Sequence, residues 1–362
     1  MTPGPKSPQC WIRPEIQALS AYHVPDSGKL VKLDAMENPY RWPAELAEQW
    51  LDSLRPVELN RYPDPGAREL SEKLKQVMQV PEGMQVVLGN GSDELIQMLA
   101  LAVAGPDRVI LSTDPTFVMY RMIAEVVGLR YQAVPLSGYF SLDSEATLSA
   151  IKQTRPAIVF LAYPNNPTGN LFDAAVVDDV IRAAPGLVVV DEAYAPFTDA
   201  SFMSRLGEFP NLLVLRTVSK MGLAGLRLGL LAGPAEWLNE IDKTRLPYNI
   251  NVLTQASALF ALQHATMLEE QAQKIRADRA KLAQALQELD GIRPYPSEAN
   301  FILFETPHGE ADRVFAALKE QGVLIKTLTP SGGRLQDCLR VTIGKPQENQ
   351  AFLEALQNAM KS

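Results

Sequence analysis

Residues 157–197 contain two apolar runs that each end in a polar turn: AIVFLAYPNNPTGN (157–170) and LVVVDEAYAPF (187–197). Nearly continuous runs of β-branched and aromatic residues are typical of strands buried on both faces of a parallel sheet. Five similar runs lie between Met84 and Gly233: QVVLG, RVILS, YQAVPL, LLVLRT and LGLLAG. Helical patterns such as DELIQMLALAVAG separate several of them. The pattern predicts an α/β domain with a mainly parallel seven-stranded sheet sandwiched by helices.

The residues before and after this region differ from it in composition and in periodicity. Residues 1–32 are rich in proline and show little periodicity, which predicts an N-terminal arm that packs with the small domain. Residues 33–250 would form the large, cofactor-binding domain. Residues 251–362 would supply a long linking helix and a smaller α+β domain, in which helices separate the strands EANFILFE, GVLIK and CLRVTIG.

The composition of the 362 residues is that of a soluble globular enzyme, with 46% hydrophobic and 21% charged residues. A net charge of −8 argues against a nucleic-acid partner, because phosphate backbones require a basic face. The sequence shows neither a signal peptide nor a membrane-spanning run, which predicts a cytoplasmic protein with no membrane partner. His23, His264 and His308 are scattered and Cys10 lies far from Cys338, so we expect neither a metal site nor a disulfide framework.

The segment TVSKMGLAGLRLG (217–229) places a lysine at the end of a predicted strand. The hydroxyls of Thr217 and Ser219 and the guanidinium of Arg227 can each donate to a phosphate. Burial and neighbouring cations would lower the pKa of Lys220 and favour the neutral, nucleophilic amine that Schiff-base chemistry requires. The alternative is a solvated surface lysine, which the flanking glycine and apolar residues disfavour.

Three more polar clusters follow predicted strands, at the edge where open α/β sheets bind ligands. In LGNGSDEL, Ser92 and Asp93 begin a helix whose N-terminus would bind a phosphate or would simply be capped. In AYPNNPTGN, two prolines leave Asn166 and its neighbour as directed amide donors, or form a plain turn. In DEAY, Asp191 ends a buried strand close to Tyr194 and needs a partner; alone it would also suit a helix cap or a metal ligand.

Together these segments resemble the aspartate aminotransferase superfamily of pyridoxal-phosphate enzymes, fold type I. The motifs GSDE, NNPTG, DEAY and SK occur in the family's order within residues 30–345. The resemblance implies a pyridoxal 5′-phosphate (PLP) cofactor and three catalytic residues. Lys220 would bond covalently to the cofactor, Asp191 would pair with its ring nitrogen, and Tyr194 would assist at its ring oxygen.

The same resemblance implies the other groups that would hold the cofactor. Phe117 would stack on the ring, with Tyr120 as a less favoured alternative, and Asn166 would join Tyr194 at the ring oxygen. Tyr62, in NRYPDPG, would reach the cofactor phosphate of a partner subunit, which implies a homodimer with a shared active site. The cofactor phosphate would otherwise be bound by Ser92, Asp93, Thr217, Ser219 and Arg227.

Further segments resemble one branch of this family, the histidinol-phosphate aminotransferases: LDAMENPYRWP, RYPDP, EANFILF and CLRVTIG. The branch implies transamination of L-histidinol phosphate with 2-oxoglutarate, giving imidazole-acetol phosphate and glutamate in histidine biosynthesis. Arg340 in CLRVTIG would receive the anionic group of the substrate, with Asn38 and Tyr22 as further substrate contacts. Where the branch has a second phosphate-binding arginine this chain has Lys326, and Arg334 is the other candidate for that role.

Other functions are compatible with the same motifs. An aromatic aminotransferase or a threonine-phosphate decarboxylase would use the same cofactor residues. A non-catalytic regulator with an aminotransferase-like domain would carry an additional basic helix-turn-helix domain, and a phosphate-binding α/β module would lack covalent chemistry. The branch resemblance favours histidinol phosphate over these alternatives.

Overall fold

The computed structural model describes residues 7–21 and 26–361. The chain begins with an arm and two helices that precede the main sheet. These elements are α1 (Pro8–Trp11), α2 (Pro14–Gln17), β1 (Val31–Lys32), α3 (Ala44–Leu54) and α4 (Arg68–Val77).

Strands and helices then alternate through the large domain. The elements are β2 (Gln85–Gly89), α5 (Ser92–Val103), β3 (Val109–Asp114), α6 (Met119–Val127), β4 (Arg130–Pro135), α7 (Ser144–Thr154), β5 (Ile158–Ala162), α8 (Ala174–Ala183), β6 (Leu187–Asp191), β7 (Leu212–Thr217), β8 (Gly229–Gly233) and α9 (Ala235–Asp242). The seven strands form one sheet in the order β2-β8-β7-β6-β5-β3-β4, in which only β8 runs antiparallel to its neighbours. The predicted α/β fold with a mainly parallel seven-stranded sheet is confirmed.

Apolar runs form these strands because both faces of the sheet are covered. Every residue of β5, β6 and β8 is buried. Val188 and Val190 of β6 join the core that includes residues of α7, α8 and α10, whereas Leu187 and Val189 join the core that includes residues of α5, α6 and α9. In these three strands the one polar side chain is that of Asp191, at the end of β6, where the chain leaves the sheet.

The C-terminal part forms a smaller α+β unit. Its elements are α10 (Val252–Gln263), α11 (Ala265–Gln287), β9 (Arg293–Pro294), β10 (Phe301–Glu305), α12 (Ala311–Glu320), β11 (Val323–Leu324), β12 (Lys326–Thr327), β13 (Cys338–Thr342) and α13 (Pro346–Lys361). The predicted linking helix is two helices that meet at His264, whose ring nitrogen lies 2.9 Å from the Phe260 carbonyl oxygen near the end of α10. Strands β12, β13, β10 and β9 form an antiparallel sheet.

The described part of the arm contacts both domains. Strand β1 pairs in parallel with β11 of the C-terminal unit. The guanidinium of Arg13 donates to the Val126 carbonyl of α6, which adds a contact with the large domain. The division into an arm and two domains at residues 32 and 250 stays a prediction. Among the described helices, none is long and apolar enough to cross a membrane.

A buried ion pair links the ends of β6 and β7. Glu192 follows β6 and its side chain is inaccessible to solvent, and Arg216 of β7 binds it through Nε and Nη2 at 2.9 and 2.7 Å. The hydroxyl of Ser201 contacts both partners. A buried carboxylate needs such a partner, because its desolvation is otherwise uncompensated.

We therefore predict that Arg216→Met lowers the free energy of unfolding by about 3–5 kcal/mol, the usual consequence of leaving a buried charge unpaired. Urea unfolding of the purified protein would measure it. Arg276→Met is the matched control, because Arg276 makes a similar bidentate contact with Asp199, whose side chain is 89% exposed. The control should change stability little. Equal losses in the two variants would contradict the prediction.

Candidate active site

A cleft lies where parallel strands of the large sheet end, as expected for an open α/β sheet. Four of its lining residues are Met36, Ala162, Pro164 and Ala193, and of these Ala162 alone belongs to a strand of the sheet. The sequence analysis assigned ten of its lining residues to the cofactor: Ser92, Asp93, Phe117, Asn166, Asp191, Tyr194, Thr217, Ser219, Lys220 and Arg227. The structure thus brings together residues from six separate segments of the chain.

One end of the cleft is built to bind an anion. Ser92 is the first residue of the twelve-residue helix α5, and the preceding Gly91 has φ +85°. A Cβ at Gly91 would lie 2.7 Å from Nη2 of Arg227, so only glycine lets the guanidinium approach the helix N-terminus. Thr217 and Ser219 add hydroxyl groups 3.0 Å apart. Amide N–H groups, hydroxyls and a guanidinium together suit a phosphate.

The same region also contains a carboxylate. Asp93 Oδ2 lies 3.5 Å from Arg227 Nη2, and both side chains are about half exposed. Burial raises the pKa of Asp93, while the positive charges of Arg227 and Lys220 act in the opposite direction. Asp93 thus orients the guanidinium that faces the anion site.

Asp191 supplies a buried carboxylate at the centre of the cleft. It is the last residue of β6 and only 4% exposed. Its Oδ1 accepts a hydrogen bond from the Ala193 N–H at 3.0 Å and its Oδ2 accepts one from the Tyr120 hydroxyl at 2.6 Å. Burial raises the pKa of Asp191 to about 6, and these two hydrogen bonds oppose that rise. A cationic group in the cleft would complete the set of partners.

Lys220 lies in a 3₁₀ turn just after β7, with its side chain partly buried. Its Nζ donates to the Ala35 carbonyl at 3.4 Å and lies 5.9 Å from the centre of the Tyr194 ring. Burial, followed by the Arg340 cation, lowers the pKa of Lys220 to about 8, and the Glu37 carboxylate opposes both. The neutral amine is therefore far more accessible near pH 7 than in an ordinary lysine.

Arg340 of β13 reaches the cleft from the small domain and is 6% exposed. Its Nη1 donates to Asn166 Oδ1 at 2.5 Å, and Asn166 Nδ2 in turn donates to the Tyr194 hydroxyl at 3.0 Å. In the β12–β13 ladder, Lys326 pairs directly with Arg340, and directly opposite residues project from the same face of an antiparallel pair. Two positive side chains therefore belong to one face beside the cleft.

Two other predicted substrate residues are engaged in contacts within the protein. Asn38 donates to the Met221 carbonyl at 3.2 Å and to Gln271 Oε1 at 3.0 Å, and so anchors the chain just after Lys220. Arg334 donates to the Ser137 carbonyl, and its guanidinium lies 4.4 Å from the centre of the Phe140 ring. The structure does not bring Arg334 together with the cleft residues. The substrate roles of both side chains stay predictions.

Two predicted tyrosines do not line this cleft. The Tyr62 side chain is 79% exposed and stacks on Tyr248 with ring centres 4.4 Å apart. It would serve a cleft only across an interface with another subunit. Tyr22 lies outside the described residues.

The structure also reveals neighbours of the cleft that sequence reasoning missed. Met36 lines it, with Sδ 3.3 Å from the Tyr194 hydroxyl and a left-handed backbone (φ 55°). Nothing in the sequence marks Met36 or Glu37.

Tyr120 does not face the cleft as a stacking residue. Its side chain is fully buried, stacks on Phe160 and donates a hydrogen bond to Asp191. The spacing of three residues between Phe117 and Tyr120 is the sequence signal that could have placed Tyr120 near the same cleft.

Comparisons with known proteins agree with this geometry. A protein of Nitrosococcus oceani named histidinol-phosphate aminotransferase 2 is 59% identical over 352 residues, 97% of this chain and 98% of that protein. A protein of the same name from Cupriavidus pinatubonensis is 53% identical over 97% of this chain and 96% of its own. The crystal structure of histidinol-phosphate aminotransferase from Sinorhizobium meliloti in complex with pyridoxal-5′-phosphate has a TM-score of 0.85 at 23% identity, over 96% of this chain and 97% of that one, and shows the shared fold.

The family model for aminotransferase class I and II matches residues 28–356, which include every described cleft residue named above. Since that match and the identities to the two relatives extend over nearly the whole sequence, the chain belongs to the aminotransferase class I and II family.

Proposed function

We propose that this protein is a PLP-dependent aminotransferase that acts on L-histidinol phosphate and 2-oxoglutarate, forming imidazole-acetol phosphate and glutamate in histidine biosynthesis. The names of relatives 45–59% identical over nearly the full chain support the substrate. One observation carries the reaction class. A lysine of lowered pKa, a buried carboxylate and an anion-binding helix N-terminus share a single cleft.

The residues present fit PLP by chemistry and by space. The close approach of Arg227 to Gly91 forms a cradle that a Cβ would fill. Asp191 would bind the ring nitrogen, and Phe117 would lie against the ring. The donors for the phosphate would be Ser92, Thr217, Ser219 and Arg227, with Asp93 orienting the guanidinium, and those for the ring oxygen would be Asn166 and Tyr194.

When bound, PLP supplies an aldehyde that bonds to amines and a ring that accepts electrons from the substrate's α-carbon. Lys220 would hold the cofactor through Nζ and then, released by the substrate amine, take the α-proton and return it as general base and acid. Asp191 would keep a proton on the ring nitrogen. The Asn166 and Tyr194 side chains, bonded to each other, would hold the ring oxygen in one orientation.

The substrate's anionic group would bind beside this machinery. Arg340 is desolvated and already bonded to Asn166, so its guanidinium is oriented by protein contacts. A guanidinium can bind either the phosphate of histidinol phosphate or the carboxylate of glutamate in bidentate fashion. Lys326, across the β12–β13 ladder, would contribute a second positive charge, and it is better situated for this than Arg334.

We also propose a cytoplasmic homodimer with shared active sites. Exposed apolar side chains cluster around Tyr62, including those of Leu59, Tyr248 and Leu253, which border one shallow surface depression. Such a patch is typical of a subunit interface. Cys10 and Cys338 form no disulfide, as in cytoplasmic proteins.

The first test is an assay for glutamate formed from histidinol phosphate and 2-oxoglutarate, with threonine phosphate and phenylalanine as parallel substrates. We expect Lys220→Ala to fold and to lose at least about 10³-fold in turnover, because it removes both the covalent link and the proton-transfer group. Lys243→Ala, which changes an exposed lysine, should retain activity. Comparable turnover by Lys220→Ala, or faster CO₂ release from threonine phosphate, would refute the assignment.

The lowered pKa of Lys220 predicts how PLP uptake depends on pH. Only the neutral amine attacks an aldehyde, so the uptake rate of the apoprotein should rise about tenfold per pH unit up to about pH 8 and then level off. Stopped-flow absorbance would follow it. Arg340→Met removes a cation that lowers this pKa and should move the inflection to higher pH, whereas Arg293→Met on β9 should not. A rate that still rises past pH 10 would contradict the lowered pKa.

Shared sites predict complementation between inactive variants. Tyr62→Ala and Lys220→Ala subunits should each form poorly active dimers. A hybrid dimer would have one intact site, made of Lys220 from one subunit and Tyr62 from the other, so an equal mixture should recover up to about a quarter of wild-type activity. Refolding the two variants together and assaying the mixture measures this. No gain over the separately refolded variants would exclude Tyr62 as the shared residue.

A further inference from the structure

Tyr120 of α6 lies behind the cleft and contacts two of its lining residues, Asp191 and Phe117. Its side chain is fully buried, and its hydroxyl donates to Asp191 Oδ2 at 2.6 Å. The ring stacks on Phe160 of β5, with centres 4.6 Å and planes 6° apart, and meets the ring of Phe117 edge-on at 5.5 Å. These two aromatic contacts hold the phenol at the point from which its hydroxyl reaches the carboxylate.

The carboxylate itself has two protein donors on different oxygens. Oδ2 accepts from Tyr120, and Oδ1 accepts from the Ala193 N–H at 3.0 Å. An ionised carboxylate offers about four lone-pair sites, so two donors leave sites for another group. Because Asp191 lines the cleft, a ligand in the cleft can use them. The two donors therefore fix how the carboxylate faces that ligand.

The phenol also favours the charged form of this carboxylate. Burial and the neighbouring Asp191 raise the pKa of Tyr120 well above 10.0, so the phenol remains a donor. Burial and the charges of Asp93 and Glu192 raise the pKa of Asp191, and the hydrogen bonds from Tyr120 and Ala193 oppose them. The ionisable groups that face Asp191 are Tyr120 of α6, Asp93 of α5, and Glu192 and Tyr194 after β6.

We propose that Tyr120 is a positioning residue for the reaction: its hydroxyl holds the Asp191 carboxylate as an oriented anion that binds the ring nitrogen of the cofactor. The inference rests on the proposed function for its catalytic meaning. The contact with Phe117 adds a second link, because the ring that orients Asp191 also supports the side chain that would lie against the cofactor ring.

The test compares Tyr120→Phe with a matched control, Tyr295→Phe. Tyr295 is also buried, and its hydroxyl also donates to a carboxylate, Glu305 Oε2 at 2.8 Å, but in the small domain. Both variants keep the ring and lose one hydroxyl–carboxylate hydrogen bond. A change seen in both variants would reflect the loss of a buried hydrogen bond, whereas a change seen in Tyr120→Phe alone would be an effect on the cleft.

Two readouts do not depend on activity. In the apoprotein, difference infrared titration with Asp191→Asn as the reference should show the Asp191 pKa rising by about one unit or more in Tyr120→Phe, since a hydrogen bond to an anion is lost. PLP affinity, from a spectrophotometric titration, should fall about tenfold. Tyr295→Phe should change neither.

With PLP and substrates added, Tyr120→Phe should lower kcat about tenfold and leave the KM for histidinol phosphate nearly unchanged, because Tyr120 touches no substrate group. An unchanged Asp191 titration and an unchanged PLP affinity would overturn the proposal, whatever the variant does to thermal stability. If the wild-type protein does not transaminate, the proposed function fails, while the apoprotein titration and the PLP affinity still decide the role of Tyr120.

A second substitution covers the case in which Tyr120→Phe does not fold. 3-Fluorotyrosine at position 120 keeps the hydroxyl and makes it a stronger donor. It should move the Asp191 pKa down, the opposite direction from Tyr120→Phe. A shift upward, or no shift, would overturn the proposal.

Discussion

The burial of negative charge at the end of β6 is the constraint on which the rest of the site depends. Asp191 is the last residue of a strand whose every residue is buried, and a second carboxylate, Glu192, follows it directly. Neither can be left without partners, because the desolvation of an unpaired carboxylate exceeds the net stability of most domains. Glu192 is compensated by Arg216 within the protein. Within the described residues, the hydrogen-bond donors to Asp191 are neutral, the Tyr120 hydroxyl and the Ala193 amide, and the carboxylate lines the cleft, where a further group could bind it.

The two neighbouring carboxylates therefore differ in their contacts: Glu192 pairs with Arg216 inside the protein, whereas Asp191 lines the cleft. The Glu192–Arg216 pair ties β6 to β7, just before the turn that carries Lys220. Asp191, at the end of β6, and Lys220, in the turn after the adjacent strand β7, are consequently held at a fixed separation. PLP carries its aldehyde on the ring carbon opposite the nitrogen, so a carboxylate and an amine that bind these two groups would need to be held apart in this way. The buried ion pair therefore stabilises the geometry of the cleft without lining it.

Sequence reasoning identified the strands and ten of the residues that line the cleft for a common physical reason. A strand covered on both faces is apolar throughout, as in β5 and β6, so polar residues at its end are conspicuous. Asn166, Asp191 and Ser219 each follow such a run. Because parallel strands end at one edge, their terminal side chains converge. The order and spacing of these motifs then carried the family resemblance.

The other part of the cleft was less accessible to sequence reasoning because it is made by contacts between distant segments. Met36 enters the cleft through a left-handed backbone held by Thr342 Oγ1 and Asn300 Nδ2, and no local pattern encodes those bonds. The Glu37 carboxylate likewise affects the pKa of Lys220 because folding brings the two residues together, and their spacing in the sequence gives no sign of it. The break between α10 and α11 at His264 also lies in a continuous helical pattern, where composition gives no signal.

The segment formed by residues 34–38 shows why these long-range contacts matter for chemistry. On one side, Arg340 donates to the Asp34 carbonyl and Thr342 accepts from the Met36 N–H, so the segment is bonded to β13 of the small domain. On the other side, Lys220 donates to the Ala35 carbonyl, so the same segment contacts the large domain beside the reactive amine. Any displacement of the small domain would therefore move Arg340 and this segment together relative to Lys220. Since the Arg340 cation contributes, after burial, to the lowered pKa of Lys220, we expect such a displacement to change the reactivity of the amine as well as the shape of the cleft.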